Sequence, residues 1–185
     1  VGANADCKPE YLVQFALMAQ AYASAALGVA NPSVGLLNIG EEETKGSVLA
    51  QESYQLLSTT VPNFIGNVEG RDVLTGEVDV IVTDGFTGNV ALKLLEGTSK
   101  TILGAVKGVM TASLLSKLCA LPLLGGFKGL KKSMDPDQFG GAPLLGVKGV
   151  VIIGHGSSNA TAVANGILVG ARCVRNDLSD RIAQA

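Results

Sequence analysis

The sequence is poor in several residue types, and each scarcity excludes a class of protein. It holds no tryptophan, one histidine and three cysteines among its 185 residues. Cys7, Cys119 and Cys173 are odd in number and far apart, so neither a disulfide framework nor a zinc site is predicted. Charged residues make up 16% of the chain and the net charge is −2, which argues against a nucleic-acid-binding protein. A reducing cytoplasm fits this cysteine usage best.

Apolar residues, in contrast, are abundant and make up 47% of the chain. A chain of this length can bury a sizeable core, and we predict one α/β domain over residues 1–185. The uncharged stretch from Leu12 to Ala30 contains polar residues and follows no basic region, which favours a buried helix over a membrane span or a signal peptide. Because residues 1–4 contain no initiator methionine, we expect the chain to be part of a longer protein.

Three units of the same kind recur along the sequence, each an apolar strand, a glycine-containing loop and a helix. Their alternation predicts an α/β fold with a mostly parallel sheet and helices on both faces. A further strand is predicted at 63–68, and further helices at 9–27 and 177–185. The units are strand 34–39 with a helix ending near Leu57, strand 78–83 with a turn at 84–88 and a helix from Asn89, and the run 144–153 with a helix ending near Val174.

The three loops are candidates for an anion site. A strand that passes through a glycine turn into a helix directs backbone N–H groups and the positive end of the helix dipole at one point. Any single unit could equally be an ordinary connection. Because ligands of parallel sheets bind beyond the carboxyl ends of the strands, we expect Lys45, Asn89 and His155 to share one crevice. The loop residues predicted to bind substrate there are Gly40, Gly46, Asp84, Gly85, Gly88, Gly154, Gly156, Ser157 and Asn159.

The individual candidates differ in chemistry. Lys45 can offset the charge of a bound phosphate, although its loop lacks the glycine–lysine pair of a P-loop. The glutamates at 41–43 could be no more than a solvated helix start. Arg71 is a candidate anion ligand, while surface ion pairing is the more frequent fate of a lone arginine. His155 lies between glycines after a predicted strand, where loops carry function, although a lone histidine is usually structural.

A lysine-rich tip, defined as residues 100–134, is predicted to protrude from the fold as a helical hairpin. Between Glu96 and Asp135 there are six lysines and no acid, so this segment carries +6 and the remainder −8. It is too short and broken to cross a bilayer. Its composition fits a membrane interface or an acidic carrier protein, and the alternative is a hairpin packed on another subunit. The predicted contact residues are Leu114, Leu115, Leu118, Leu121, Leu124, Phe127, Lys128, Lys131 and Lys132.

Four long motifs in a fixed order resemble the PlsX family of phosphate acyltransferases. They cover essentially the whole chain and correspond to roughly the C-terminal half of the family pattern. The motifs are G-L-L-N-I-G-E-E-E-T-K-G (35–46), F-I-G-N-V-E-G-R-D (64–72), V-T-D-G-F-T-G-N-V-A-L-K (82–93), and G-G-A-P-L-L-G (140–146) with G-H-G-S-S-N-A (154–160).

The resemblance implies a function and a setting. It implies transfer of an acyl group from acyl-acyl-carrier protein to inorganic phosphate, giving acyl phosphate for phospholipid synthesis without cofactor or metal. It also implies a fold related to phosphotransacetylases and isopropylmalate-type dehydrogenases, a homodimer, and a cytoplasmic protein associated peripherally with the membrane. The family's catalytic lysine and asparagine fall on Lys45 and Asn89, and we predict that His155 assists departure of the thiolate.

Two other functions remain open on the sequence. Gly154-x-Gly156-x-x-Asn159 suggests a dinucleotide-dependent dehydrogenase, but the acid expected about 20 residues on is missing, since Asp177 lies beyond a helix. A non-catalytic module that docks on a membrane or a carrier protein would be supported by the lysine-rich tip alone.

Overall fold

The computed structural model describes residues 2–133, 138, 140–156 and 158–184. These residues form seven α-helices, five β-strands and two short 3-10 turns. In chain order the helices and strands are α1 (Pro9–Leu27), β1 (Val34–Asn38), α2 (Val48–Thr60), β2 (Phe64–Glu69), β3 (Val80–Val82), α3 (Gly85–Thr111), α4 (Leu114–Ala120), α5 (Leu124–Ser133), β4 (Ala142–Pro143), β5 (Ile152–Ile153), α6 (Ala160–Arg175) and α7 (Leu178–Gln184), with 3-10 turns at Asp72–Leu74 and Leu121–Leu123.

The first helix has the bounds that the sequence predicts. Pro9 stands at the first helical position, where its fixed backbone angle suits a helix and its missing N–H costs nothing. Gly28 ends the helix in a left-handed conformation with φ of 75°, and its N–H donates to the carbonyl of Ala23. The buried side chains of α1 include Leu12 and Ala16, so this uncharged helix belongs to the core.

Three parallel strands form the main sheet, in the order β2–β1–β3. The register aligns Val34 of β1 with Phe64 and Val80, and it shifts at the next residue of β1 because β2 carries a bulge. The predicted α/β class and parallel sheet are confirmed. The relationship to phosphotransacetylase and isopropylmalate dehydrogenase folds stays a prediction.

Helices α1 and α2 pack broadly on this sheet, and both cover the same face. Side chains two residues apart on a strand share a face, so Val34 and Leu36 point to one side together with their neighbours on β3. That side forms the main core with Leu12 of α1 and Leu57 of α2. Within the described ranges no other helix contacts these three strands extensively, so the second helical layer predicted for the opposite face is not seen there.

The third predicted unit does not belong to the parallel sheet. Ile152–Ile153 pairs antiparallel with Ala142–Pro143, and the two strands form a separate small sheet. The run 144–153 is therefore a strand only near its end. Gly146 and Gly149 have φ of 78° and 112°, left-handed values that turn the chain instead of extending it. Helices α6 and α7 pack on α1 beside this small sheet through a second buried cluster that includes Cys173 and Leu178.

The lysine-rich tip forms two helical arms. Helix α3 spans 27 residues, and Gly88 is the one buried residue along it. The second arm consists of α4, the 3-10 turn at Leu121–Leu123 and α5. By length and composition no single described helix could span a membrane, whereas α3 and Leu114–Ser133 could together, at a bend of 112° between them.

Candidate active site

A cleft of about 280 Å³ opens where β1 and β3 end and α2 and α3 begin. Parallel strands end at the same edge, so the first turns of both following helices meet there. Two predicted substrate-binding residues, Gly46 and Asp84, line it. The polar residues around the cleft are Asn38, Ser47, Thr83, Asp84 and Thr87, and apolar side chains from α1, β1 and α2 form its floor.

The loop between β1 and α2 is fixed by side chains at its ends. Asn38 donates to the carbonyl of Lys45 at 3.1 Å and accepts from the N–H of Ile39 at 2.8 Å. Gly46 has φ of 88°, and a side chain there would collide with the amide oxygen of Asn38. Only glycine fits between these constraints, so the loop holds one shape at the mouth of the cleft.

Three further hydrogen bonds tie the middle of this loop to its neighbours. Asn67 of β2 donates to the carbonyl of Glu42 at 2.8 Å, and Gln51 of α2 donates to that of Thr44 at 2.8 Å. The hydroxyl of Tyr54 donates to Glu43 at 3.3 Å. Burial, followed by the charge of Glu43, raises the pKa of Tyr54 above its ordinary value, so this hydroxyl stays protonated as a donor.

Lys45 flanks the cleft and is not among its lining residues. Its side chain is exposed and runs beside Gly40, where an added Cβ would lie 3.1 Å from its Cγ. In the described part of the chain no carboxylate lies within ion-pair distance of its ammonium. The lysine charge is therefore available to an anion, and Gly40 serves by leaving room for the lysine stem.

Helix α2 presents a second feature suited to an anion. The hydroxyl of Ser47, its N-cap, accepts from the N–H of Ala50 at 3.2 Å. Val48 and Leu49 occupy the first two positions of α2, so their N–H groups lie just ahead of the Ala50 N–H that makes this bond. The start of an α-helix carries about half a positive charge, and here it borders the cleft.

The start of α3 differs from the prediction. The sequence predicts a turn over 84–88 with a helix from Asn89, but the helix begins at Gly85. Asp84 is its N-cap and accepts from the N–H of Thr87 at 2.8 Å, which lets the helix start four residues early. Asn89 is consequently an exposed residue of the second helical turn and is not among the lining residues of the cleft. Thr87 does line the cleft, and residues two positions apart on a helix do not share a face.

The N–H of Gly85 is also engaged differently from the prediction. It donates to the carbonyl of Asn4 at 2.8 Å, so it is not available to a substrate. A Cβ on Gly85 would lie 2.6 Å from the carbonyl oxygen of Gly2, which means that two backbones touch here. Gly88 is buried, and its N–H donates to the carbonyl of Asp84 at 3.0 Å. Both glycines serve the packing and geometry of the helix start.

His155 lines a second pocket, of about 520 Å³, between β5 and α6. The expectation that it shares one crevice with Lys45 and Asn89 fails for the described residues, because β5 belongs to the separate small sheet. Asn159 caps α6 and accepts from the N–H of Ala162 at 3.0 Å. Gly154 lines the same pocket and Gly156 is exposed near it. Ser157 lies outside the described residues.

Arg71 is engaged with carboxylates. Its guanidinium lies 2.7 Å from Glu69, and 3.7 Å from both Glu41 and Asp72. Its side chain is 71% exposed. The ion pair with Glu41 joins the end of β2 to the loop before α2, which agrees with surface ion pairing, the commoner fate weighed for this arginine.

Cys173 is a poor candidate for a nucleophile. Cys173 is fully buried, and that burial raises the pKa of its thiol, which disfavours the thiolate a nucleophile needs. Within the ranges given above, no three histidine, cysteine, aspartate or glutamate side chains are grouped as a metal site would require.

Sequence reasoning missed four polar residues of the cleft, Asn38, Ser47, Thr83 and Thr87. Ser47 carries a usable signal, since a serine directly before an apolar helical run is typical of an N-cap. Asn38 and Thr83 stand at or just beyond the ends of parallel strands, the position at which a sheet collects its ligand groups. The sequence pattern draws attention to the glycines of the same loops, so these polar residues were not recognised as candidates.

The fold and the cleft define an α/β protein that carries a potential anion site at the carboxyl edge of a parallel sheet. Comparison with known proteins makes this specific. The family described as fatty acid synthesis protein matches residues 1–181. The chain belongs to this family, which confirms its resemblance to PlsX.

Curated relatives agree with that assignment. The phosphate acyltransferase of Desulfitobacterium hafniense (strain Y51) is 51% identical over 183 residues, which is 98% of this chain and 55% of the relative. A phosphate acyltransferase of Thermus thermophilus is 51% identical over 184 residues, 99% of this chain and 56% of the relative. That of Anoxybacillus flavithermus (strain DSM 21510 / WK1) is 46% identical over 185 residues, 100% of this chain and 56% of the relative. The chain spans about half the length of the curated relatives it matches.

Proposed function

We propose that the protein containing this chain transfers a fatty acyl group from acyl-acyl-carrier protein to inorganic phosphate, forming acyl phosphate for phospholipid synthesis. The relatives named phosphate acyltransferase support an acyl transfer to phosphate. The observation that carries the proposal is the cleft at the first turn of α2, where the backbone N–H groups and the dipole of the helix start suit an anion and Lys45 lies alongside. The carrier-protein thioester as acyl donor follows from the PlsX resemblance.

In this proposal the phosphate binds at the start of α2. The N–H groups of Val48 and Leu49 and the hydroxyl of Ser47 are the donors, and the ammonium of Lys45 offsets the negative charge. The flexible stem of a lysine allows Lys45 to swing from Gly40 across the mouth of the cleft. The carboxylate of Asp84 is an unfavourable neighbour for an anion. The hydrogen bond that it accepts from the N–H of Thr87 partly offsets the carboxylate charge.

The reaction itself is a direct displacement. A phosphate oxygen attacks the thioester carbonyl carbon, a C–O bond forms and the C–S bond breaks. The sulfur leaves with the electron pair and takes up a proton to become the carrier thiol. Holding phosphate and thioester together supplies much of the rate enhancement, because a bimolecular step becomes effectively unimolecular.

Asn89 is proposed to stabilise the charge that develops on the carbonyl oxygen. Asn89 is exposed on the second turn of α3, where a thioester presented by another protein can approach it. Loss of one such donor typically reduces the rate by about 10²–10³. The proposal assigns no step to His155, whose loop lines a different pocket, so the thiolate takes its proton from water.

The same protein is proposed to work as a homodimer. Ile102, Val106 and Val109 occur at helical spacing on the side of α3 turned away from the second arm, and they are 57%, 40% and 74% exposed. Because α3 is apolar on two sides and only one of them faces the second arm, its other apolar face is exposed. A second copy of this chain would cover that face.

Contact with anionic membrane or with the acidic carrier is assigned to the lysine-rich tip. Leu114, Leu115 and Leu118 are 77%, 70% and 56% exposed, and Lys128, Lys131 and Lys132 are exposed nearby along the second arm. Apolar side chains beside lysines suit the surface of an anionic bilayer. We propose a cytoplasmic enzyme that is associated peripherally with the membrane.

The test is a phosphate-dependent assay of acyl-carrier-protein thioester cleavage. We expect Lys45→Ala and Asn89→Ala each to reduce turnover by about 10²–10³. Lys93→Ala is the matched control, because Lys93 lies one turn further along α3 and pairs with Glu96 at 3.5 Å outside the cleft. Near-normal turnover in both site variants would remove the proposed mechanism.

A further inference from the structure

A groove of about 600 Å³ runs between the two arms of the lysine-rich tip. One wall is a single face of α3, in which lining residues recur every three or four positions from Lys100 to Thr111. The other wall continues the same spacing from Lys117 to Lys131, across α4, the 3-10 turn and α5. The groove is therefore built by two regular helical faces turned toward each other.

The floor and the rim of the groove differ in chemistry. The floor is apolar and consists mainly of Leu103, Met110, Leu121, Leu124 and Phe127. The rim carries five lysines and no acid, and these are Lys100, Lys107, Lys117, Lys128 and Lys131.

The charge of that rim is uncompensated within the described residues. None of the five lysines takes part in an ion pair there, in which respect they differ from Lys93 and Arg71. The sequence supplies no acid between Glu96 and Asp135 that could pair with them locally. Five ammonium groups around an apolar trough produce a local positive potential that attracts an anion from outside.

We propose that this groove binds one single-chain amphiphile with an anionic head group, a fatty acid or an acyl phosphate. The alkyl chain would lie on the apolar floor and leave water, and the head group would meet the lysines of the rim. The volume falls in the range of about 300–1,000 Å³ found for small-molecule sites. The product of the reaction proposed above belongs to this class, but the inference rests on the groove itself.

This ligand fits the groove better than a bilayer or a second protein chain. Leu114 and Leu115, which at 77% and 70% are the most exposed leucines of the tip, do not line the groove, so a membrane contact has another apolar face available. A second copy has its own apolar target in Ile102, Val106 and Val109 on the far side of α3. The groove combines an apolar floor with a positively charged rim, which suits a single alkyl tail with one anionic end.

Two glycines of the tip allow a matched experiment. Gly104 of α3 lines the groove and Gly126 of α5 does not, and an added Cβ at either position meets no atom within 4 Å. Gly126 lies two residues from Leu124 and Lys128 of the lining, so its side chain would point away from the groove. Gly104→Phe therefore fills the groove, while Gly126→Phe makes the same change outside it. Titration of the full chain with dodecyl phosphate below its micelle concentration should show affinity reduced by about tenfold or more in Gly104→Phe and little changed in Gly126→Phe.

The head-group part of the proposal has its own variants and probes. Lys128→Gln with Lys131→Gln should weaken dodecyl phosphate binding by about tenfold, whereas Lys132→Gln, outside the lining, should not. Dodecanoate should also bind, and dodecyltrimethylammonium should not. Whichever of dodecyl phosphate and dodecanoate binds more tightly identifies the head group that the site prefers. The groove variants are measured by binding of dodecyl phosphate and the Lys45 and Asn89 variants by turnover, so failure here and failure of the proposed activity are distinguishable.

Several results would overturn the inference. Equal affinity in the native protein and in Gly104→Phe would exclude the groove as the site, and equal loss in Gly126→Phe would indicate a general effect on the tip. Equal binding of the cationic amphiphile would show that the lysines select nothing. If Gly104→Phe instead dissociated an oligomer and left dodecyl phosphate binding intact, the groove would belong to a second copy of the chain.

Discussion

Ser33 and Asp79 are joined by three hydrogen bonds where β1 and β3 begin. One oxygen of the Asp79 carboxylate accepts from the N–H of Ser33 at 2.9 Å and from its hydroxyl at 2.8 Å. The hydroxyl oxygen of Ser33 accepts in turn from the N–H of Asp79 at 3.0 Å. The pair fixes the two strands at the end opposite the cleft, so it sets the register that brings both helix starts together at the other end.

The Asp79 carboxylate should make stability depend on pH. Hydrogen bonds from the backbone and then the side chain of Ser33 lower its pKa, so the folded state favours the charged form. This contribution is complete above the pKa of an unfolded aspartate, about 3.9, and is lost as the pH falls through the lower folded pKa. Asp79→Asn should therefore unfold at lower urea at pH 7, with a difference from the native protein that shrinks below about pH 4.

The control for this pair is Glu77→Gln. This substitution removes a negative charge two residues from Asp79. Glu77 takes part in none of the ion pairs of the described structure, so the urea midpoint of Glu77→Gln at pH 7 should match that of the native protein. A deficit of Asp79→Asn that is the same at pH 7 and pH 3 would mean that the carboxylate charge is not what Ser33 stabilises.

The contact between residues 2–4 and the start of α3 should be sensitive to a single methyl group. A Cβ on Gly85 would lie 2.6 Å and 2.7 Å from the backbone oxygens of Gly2 and Asn4, and backbone cannot move aside as a flexible side chain can. Gly85→Ala should lower the free energy of unfolding by about 1–3 kcal/mol.

Gly97→Ala provides the comparison within the same helix. A Cβ at Gly97 meets no atom within 4 Å, so alanine there should raise the free energy of unfolding by about 0.5–1 kcal/mol. Both variants are measured by urea unfolding. Equal stability of the two would contradict the backbone contact at Gly85.

Local signals predict the first half of the fold well. Pro9 and Gly28 set the bounds of α1 through their own backbone preferences. The β-branched and apolar runs predict β1, β2 and β3 to within two residues at each end. The predicted start of α3 is wrong because closely spaced glycines usually signal a turn, whereas Asp84 acts as an N-cap and lets Gly85 and Gly88 enter the helix.

The second half depends on pairing between distant segments, which local pattern does not encode. The apolar run 144–153 has the composition of a sheet strand, yet Ile152–Ile153 pairs with Ala142–Pro143 instead of with β3. The same limit applies to the site. Sequence spacing places His155 after a strand end, and the identity of the sheet to which that strand belongs decides which pocket it lines.

His155 should consequently contribute little to the transfer step. Removal of a general acid from a reaction typically costs about 10²–10⁴ in rate. Because His155 lines the pocket between β5 and α6 and not the cleft, we expect His155→Gln to retain turnover within about threefold of the native enzyme, with an unchanged pH profile. A loss comparable with that of Asn89→Ala would restore the role in thiolate departure that the sequence suggests for it.

Arg71 offers a test between ion pairing and substrate binding. Its side chain is 71% exposed and faces three carboxylates, so Arg71→Gln should change the free energy of unfolding by less than about 1 kcal/mol. We also expect the KM for phosphate to stay near its native value, because those carboxylates already occupy the guanidinium. Steady-state kinetics with varied phosphate measures this. A large rise in KM at unchanged stability would show that Arg71 leaves its partners to bind the anion.

The exposed leucines of the tip allow membrane contact to be separated from the groove. Replacing Leu114, Leu115 and Leu118 together by serine should abolish sedimentation with vesicles that contain anionic lipid, because these side chains form an exposed apolar group outside the groove. Leu74→Ser, at an equally exposed site elsewhere, should have no such effect. Binding to vesicles should also weaken as salt is raised, since each nearby lysine contributes about 1 kcal/mol by an interaction that ions screen. Retained vesicle binding by the triple variant would transfer the membrane role to another surface, and loss of dodecyl phosphate binding in the same variant would mean that the two faces are not independent.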